Sequence, residues 1–559
     1  MKMRILILLV MGAGLLKAQD CVVAPPDAVA RMQEDVAYLA SDELEGRQPG
    51  TKGEDLAAAW IEQRFISLGL RPMWDNSSYR QPFTFPEAVL AGKKTALALP
   101  GAALVRNEDW YPLQQSAPAA DLKNLPVQDA GFGIHAPDLN YSDYLPEASY
   151  AGKALLISYS SPDGVHPHSK YIAYHDLGLR VEQATKRGAA AVIVYNPDPA
   201  LPDPQMSFKS LRAGPIPVVF VTTAQADAIR KAGVIRRLRL DLRETRRSGQ
   251  NIAAVLDNGA AETVVIGAHY DHLGYGDEGS RYRGEPAIHN GADDNASGTA
   301  AILEMARYLA LNGVQERYNY CFIAFSAEER GLLGSKYFTA NSPLVQGKVN
   351  YMINLDMVGR LDAAKGLSLN GTGTSPRWAE ALAALKCFPY EIKTTESGVG
   401  PSDHTSFYLQ DIPVLHAFTG AHEDYHMPSD DAGKVNYAGM GQVVGFLESL
   451  ILYLDTRERL PFAKTQDSNA ESRPRFSVTM GIMPDYAYDG GGVKIDAVTS
   501  DRPAQRAGIL PGDVLLSLGG TPVADVQAYM QSLSRFKKGD EAVARLRRGS
   551  EEIEVTVKF

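Results

Sequence analysis

Apolar residues recur at helical spacing over Ala28 to Ala40 and over Gly53 to Leu68, with the turn-rich stretch SDELEGRQPGTKG between them. Two helices with no strand of their own make a poor independent unit, so this pair is expected to pack on a later segment. From Ala117 to Glu244 the pattern changes to short apolar runs, Ala154 to Ile157, Ala191 to Tyr195 and Ile216 to Thr222, set among proline-rich loops. Tyr171 to Arg187 reads as a helix stopped by Gly188, and Arg236 to Arg247 alternates basic and apolar residues as a solvent-facing strand does. Ser248 to Asp455 then predicts strands at Asn251 to Leu256, Thr263 to Ala268, Tyr318 to Phe325, Val349 to Leu355 and Pro413 to Ala417. Helices are predicted among them at Gly298 to Leu311, Leu332 to Ala340, Pro376 to Leu385, Ser402 to Leu409 and Ala438 to Leu454. Alternating strands and helices imply an α/β fold, a mostly parallel sheet sandwiched by helices. A polar linker follows, and Arg475 to Phe559 has short strands with one helix, Val523 to Leu533.

Length and composition narrow the reading. A chain of 559 residues is too long for one core. A formal charge of -10 argues against nucleic acid as partner, because phosphate binding needs a basic face. Lys2 and Arg4 precede an apolar run from Ile5 to Leu16 and then small and polar residues, the layout of a secretory signal. That run is shorter than the roughly 20 residues a spanning helix needs. Cleavage is expected after Ala18 or Gln19. A lipid anchor at Cys21 ranks second, because Gln19 and Asp20 stand where small residues are wanted. The mature chain is therefore expected to be exported, periplasmic or extracellular, with no transmembrane segment. Cys21, Cys321 and Cys387 are too few for a disulfide scaffold and lack the close pairing of a thiolate zinc site.

The chemistry-bearing residues fall in one place on this map. His269 and Asp271 follow the strand Thr263 to Ala268, Glu328 and Glu329 follow Tyr318 to Phe325, and Asp356 follows Val349 to Leu355. Each stands at a strand's carboxyl end, where sites form in open parallel sheets. Asp294 precedes the helix that starts near Gly298, and His426 lies in the loop after Pro413 to Ala417. Taken singly, Asp293, Asp294 and Ser297 could cap a helix, and Glu328 and Glu329 could sit in a first turn where acids suit the dipole. Capping does not explain imidazoles at the same sheet edge.

The motifs GAHYDH, NGADDNASG, SAEERGLLGS, NLDMVGR, SDHTSF and YHMPSDD resemble those of the zinc aminopeptidase family with two co-catalytic metals, to which glutamate carboxypeptidases and glutaminyl cyclases are related. The resemblance covers Val29 to Leu70 and Ser248 to Leu454 and implies a zinc-exopeptidase fold of the phosphorylase/hydrolase-like kind. The run KALLISYS, a helix, KRGAAAVIVYN and IPVVFV resembles a protease-associated domain, and AQRAGILPGDVLLSLGG resembles a bacterial PDZ domain. The implied order is a signal peptide at 1–19, the N-terminal part of the catalytic domain at 20–116, the protease-associated insert at 117–245, the catalytic domain at 246–457, a linker at 458–474 and the PDZ domain at 475–559. His166, His168 and His175 fall in the insert as solvated loop residues.

The resemblance implies two zinc ions, one held by His269 and Asp356, the other by Glu329 and His426, with Asp294 bridging them. Asp271 would orient the His269 ring, and Glu328, free of metal, would act as general base and then acid. Two such ions, about 3.5 to 4 Å apart, lower the pKa of a bound water toward about 7, so that hydroxide is available at neutral pH. Tyr425 matches a tyrosine that stabilises the tetrahedral intermediate. Ser402, Asp403 and His404 have no triad geometry, and Asp403 and His404 are read as pocket wall or support. Arg360 faces the pocket or pairs with an acid such as Glu45. The implied activity is removal of N-terminal residues from peptides. The alternatives are a carboxypeptidase or dipeptidase of the same fold, which needs pocket arginines, and a non-catalytic peptide-binding protein. A PDZ domain takes a peptide C-terminus on a sheet edge, here at the loop Thr479 to Ile482.

Overall fold

The computed structural model describes residues 22–559 apart from 75–76, 166–168, 200, 212–213, 346, 466–477, 485–491, 499–501, 511, 524–525, 534, 538 and 550. The segment expected to be an export signal, residues 1–19, lies outside the described residues, as do Cys21, His166 and His168. The chain divides into two compact units, Met1–Phe83 with Ser248–Phe559, and Thr84–Arg247. The second unit thus begins at Thr84, ahead of the Ala117 at which the apolar pattern changes.

In the first unit, strands Val414–Phe418, Val349–Leu355, Thr263–His269 and Asn319–Phe325 lie side by side and parallel. Antiparallel neighbours flank them: Leu367–Asn370 pairs with Val414–Phe418, and the end of Val234–Leu256 pairs with Asn319–Phe325. The central strands read as unbroken apolar runs because both faces are covered. Val264, Ile266 and Ala268 join a core with helices Pro26–Leu39, Gly298–Leu311 and Tyr437–Asp455. Val265, Ile323 and Phe325 point the other way, against Phe338, Met352 and Phe407, as side chains alternate along a strand. Cys321 is free and buried in that second core, whereas Cys387 is disulfide-bonded. The helix Tyr437–Asp455 is long and apolar enough to cross a membrane, and 72% of its apolar window is buried inside this fold.

The N-terminal helices do pack on the later segment. Met32, Val36, Ile61 and Phe65 join the same core, and Glu54 of helix Lys52–Ser67 accepts from Gly50 N at 2.6 Å, Gln250 N at 3.2 Å and the Ser326 hydroxyl. Between those helices, Arg47 is fully buried and donates to the carbonyls of Tyr270 at 2.7 Å, Asn290 at 2.6 Å, Gly291 at 3.0 Å and Leu39. This one guanidinium ties the turn Asp42–Arg47 to both ends of the loop that leaves the strand Thr263–His269.

A separate sheet at the C-terminus contains Ile482–Pro484, Val493–Val498, Val514–Leu518, Glu541–Arg548 and Glu551–Lys558. Ahead of it, Thr479 Oγ1 accepts from Gly481 N at 3.0 Å.

In the second unit, Ala119–Asp129, Ala154–Ser158, Ala191–Tyr195 and Val218–Val221 run parallel where they pair. The helix expected over Tyr171 to Arg187 begins only at Leu177, where Asp176 accepts from Leu179 N at 3.1 Å; a short 3-10 turn, Ile172–Tyr174, precedes it. The basic run Arg236 to Arg247 is continuous with Asn251 to Leu256 in the single strand Val234–Leu256. Its Ile235, Leu238, Leu240 and Leu242 are buried while Arg237 pairs outside with Asp121 at 2.9 Å. His175 Nε2 stands 3.1 Å from both the Ser161 and Ser169 hydroxyls.

Candidate active site

The strand ends deliver the site. His269 closes a strand whose seven residues are all buried; Glu328 and Glu329 follow Asn319–Phe325 across Ala327, and Asp356 follows Val349–Leu355. Asp294 comes from the turn Ala292–Ser297 at the head of helix Gly298–Leu311. Asp430, itself fully buried, shapes that turn by accepting from the amides of Asp293 at 2.9 Å and Asp294 at 3.0 Å. Ala327, Met357 and His426 have φ of 56°, 54° and 56°, in the left-handed region. Such a conformation costs a non-glycine residue about 1 to 3 kcal/mol and persists where the surroundings enforce it, often at active sites.

Asp294 is the centre. His269 Nε2 lies 3.3 Å from Asp294 Oδ1 and 3.4 Å from Asp356 Oδ1. On the other side, His426 Nε2 lies 3.2 Å from Asp294 Oδ2 and 3.2 Å from Glu329 Oε2. Two ligand atoms about 2.0 to 2.1 Å from a tetrahedral zinc stand about 3.3 to 3.4 Å apart. The four spacings match that tetrahedral edge, and the two oxygens of Asp294 face opposite ways. The donor set, imidazole and carboxylate, also suits zinc.

The electrostatics agree with a cation. Burial lowers the His426 pKa, but Glu329 and Asp294 outweigh it and push the imidazole up to about 11. His269 is raised in the same way, burial being overcome by Asp356 and Glu328. Acids in this pocket therefore outnumber the positive charges the chain supplies. Glu328 is pushed well up by burial, offset in part by His269 and reinforced by the acids Asp403, Glu329 and Asp356. Asp271 is pushed up to about 8, again mainly by burial.

Several expectations need correction in detail. The His269 ring does not lean on the carboxylate of Asp271: Nδ1 is 3.2 Å from the Asp271 backbone carbonyl and 3.8 Å from its Oδ1. That Oδ1 instead accepts from Glu328 N at 3.0 Å and so holds the backbone of the neighbouring acid. Arg360 pairs with Asp424 and Asp430, each at 3.2 Å, and not with Glu45. Ser402 donates to Asp356 Oδ2 at 2.7 Å and accepts from Asn354 Nδ2 at 2.8 Å, a supporting role that its place beside His404 concealed. His404 stacks on His416 with ring centroids 4.6 Å apart. Asp293 is held by Gly359 N, Ser297 Oγ and His422 Nε2 at 2.6, 2.9 and 3.1 Å, which separates it from its neighbour Asp294. Tyr425 stacks on His426 at 3.9 Å between centroids. His272 is a site residue that strand ends and motif roles alone do not single out. It is buried, with Nδ1 2.8 Å from Glu329 Oε1, and its position next to Asp271 in the motif was the available signal.

Comparison with known proteins follows the same map. Residues 251–449 match peptidase family M28, residues 120–229 the PA domain and residues 473–559 the PDZ domain. Aminopeptidase YwaD of Bacillus subtilis is 27% identical over 352 residues, spanning 60% of this chain and 68% of its own. Leupeptin-inactivating enzyme 1 of Streptomyces exfoliatus is 32% identical over 189 residues, 34% of this chain and 39% of its own. Among solved structures, the aminopeptidase from Aneurinibacillus sp. strain AM-1 aligns with a TM-score of 0.43 at 22% identity, over 78% of this chain and 95% of its own. The segment that builds this site is thus similar to peptidase family M28, the zinc aminopeptidase family, which makes the protein a hydrolase, and the flanking matches are to a PA domain and a PDZ domain.

Proposed function

We propose that this protein is an exported metallo-aminopeptidase that removes residues from the N-termini of peptides, with two zinc ions bound on either side of Asp294. The observation that carries the reading is the set of four tetrahedral-edge spacings around Asp294, with Glu328 beside it and outside the ligand set. His269 and Asp356 would hold one ion, Glu329 and His426 the other. Bound there, the ions supply Lewis acidity and lower the pKa of water.

The chain's own part is proton handling and orientation. Glu328 takes a proton from water and returns it to the leaving amine, and its burial favours holding that proton between the two steps. Asp271 fixes Glu328 through its amide, Ser402 turns Asp356 toward its metal, and Tyr425 offers a hydroxyl to the tetrahedral intermediate. A carboxypeptidase would need a free arginine for the substrate carboxylate. Three arginines near this site are engaged instead, Arg47 with four carbonyls, Arg360 with Asp424 and Asp430, and Arg330 with Asp277 and Glu278, while Arg281 donates to the Tyr425 carbonyl at 3.2 Å. The name of the Bacillus subtilis relative points the same way. The PDZ domain would capture a peptide C-terminus at the loop Thr479 to Ile482.

Hydrolysis of aminoacyl anilides and of peptides blocked at one end or the other tests this. Release of the anilide, lost with a chelator, restored by zinc and blocked by N-acetylation, is the expected result. Cleavage of only those peptides with a free C-terminus would overturn it.

A further inference from the structure

Glu329 has an imidazole at each of its oxygens. His426 Nε2 is 3.2 Å from Oε2, and His272 Nδ1 is 2.8 Å from Oε1. The two contacts differ in kind. A spacing of 3.2 Å, repeated from His426 to Asp294 Oδ2, is close to the edge of about 3.3 to 3.4 Å that two atoms on one tetrahedral zinc make. At 2.8 Å the His272 contact is a hydrogen bond, shorter than such an edge, while the same Nδ1 is 4.0 Å from Asp294 Oδ2, longer than one. His272 therefore does not complete a coordination sphere with Asp294 and Glu329 in this arrangement.

Its ring has little freedom. His272 is 1% exposed, and Gly291, with φ of 55°, leaves no room beside it: a Cβ there would lie 2.5 Å from His272 Cδ2. His272 N also donates to the Arg47 carbonyl at 3.3 Å. With a carboxylate oxygen as partner, Nδ1 carries the proton and donates.

We propose that His272 is a positioning residue: it holds Oε1 of Glu329 and so leaves only Oε2 for the metal shared with His426. A carboxylate free at both oxygens can turn or bind in bidentate fashion, and holding one oxygen removes that choice. The inference rests on the two-metal reading above. Loss of a partner of this kind weakens metal binding about 10- to 100-fold.

The test is metal titration of the full-length metal-free protein, by calorimetry with zinc and by the visible spectrum of cobalt, for the wild type and for His272→Ala, His272→Asn and His272→Gln. An asparagine amide sits near the position of Nδ1 and can still donate to Oε1, whereas a glutamine amide sits near that of Nε2 and cannot. The expected result is two equivalents in the wild type, a second equivalent weakened 10- to 100-fold in H272A and H272Q with the first unchanged, and recovery to within a few-fold in H272N. If H272A does not fold, the contrast between H272N and H272Q decides. An unweakened second equivalent in H272Q, or equal weakening in H272N and H272Q, overturns the assignment of His272. A wild type that takes fewer than two equivalents overturns the two-metal reading itself, a result separable from the other two.

Discussion

Replacing Arg47 by Met should loosen the catalytic unit far more than a change at a turn ordinarily does. The guanidinium is fully buried and makes hydrogen bonds to four backbone carbonyls, on Leu39, Tyr270, Asn290 and Gly291. Met fills much of the same volume but donates nothing. The Gly291 carbonyl keeps a second donor, Ala296 N at 3.2 Å; an acceptor left without a partner costs about 1 to 3 kcal/mol, so the other three at the low end come to about 3 kcal/mol, a large part of the roughly 5 to 15 kcal/mol that holds a domain together. Lysine keeps the charge but gathers its donors on one nitrogen, which cannot span carbonyls that the fork reaches from separate atoms; Arg47→Lys should fall between. The assay is urea unfolding of the metal-free protein followed by the fluorescence of the tryptophans, of which Trp378 is buried in the same core. An R47M transition within about 1 kcal/mol of the wild type would refute the reasoning, since that is less than a single lost acceptor is worth.

Two further outcomes follow from the same geometry. Glu328→Gln should lower kcat by about 10² to 10⁴ while both equivalents of metal still bind, and a variant that turns over normally removes Glu328 from its role. Glu448, on the helix Tyr437–Asp455, is buried facing Glu304 and its pKa is pushed from 4.5 to about 9, by burial first and by Glu304 second. An acid raised in the folded state is a burden above its unfolded pKa, so stability should fall as pH rises from about 4.5 to about 9, by at most about 1.4 kcal/mol per unit. Glu448→Gln should flatten that slope in thermal melts and be the more stable protein at pH 8; parallel curves for the two proteins would contradict it.

How much of this was readable beforehand varies by feature. Val349–Leu355 and Gly298–Leu311 have the bounds that periodicity predicts, because a strand buried on both faces and a helix with a broad apolar side leave unambiguous patterns. Leu367–Asn370 and Ile392–Thr395 leave no legible pattern, since four residues carry too little period to separate strand from loop. The pattern extends the helix back to Tyr171 because Tyr171, just before the 3-10 turn, and Ile172 and Tyr174 within it continue the apolar spacing. Strand ends placed the metal-binding types at one edge, but which oxygen meets which nitrogen depends on contacts between residues far apart in sequence. Ser402 reaches Asp356, and Asp271 reaches Glu328 N, only once the chain has folded. His272 is hard to read for the opposite reason: in the motif it stands beside Asp271, to which the resemblance already gives a role.

The point where the chain leaves the first unit at Phe83 and returns at Ser248 has a thermodynamic meaning of its own. Phe83 reaches Gly249 so closely that a Cβ there would lie 2.8 Å from its ring, so departure and return are neighbours in space. To the catalytic unit, everything in between is a closed loop with touching ends. The entropy of closing such a loop grows only with the logarithm of its length, about 0.6 kcal/mol per doubling. A whole module can therefore be lodged there, enlarged or exchanged during evolution at little cost to the fold that holds Asp294 between its two histidines.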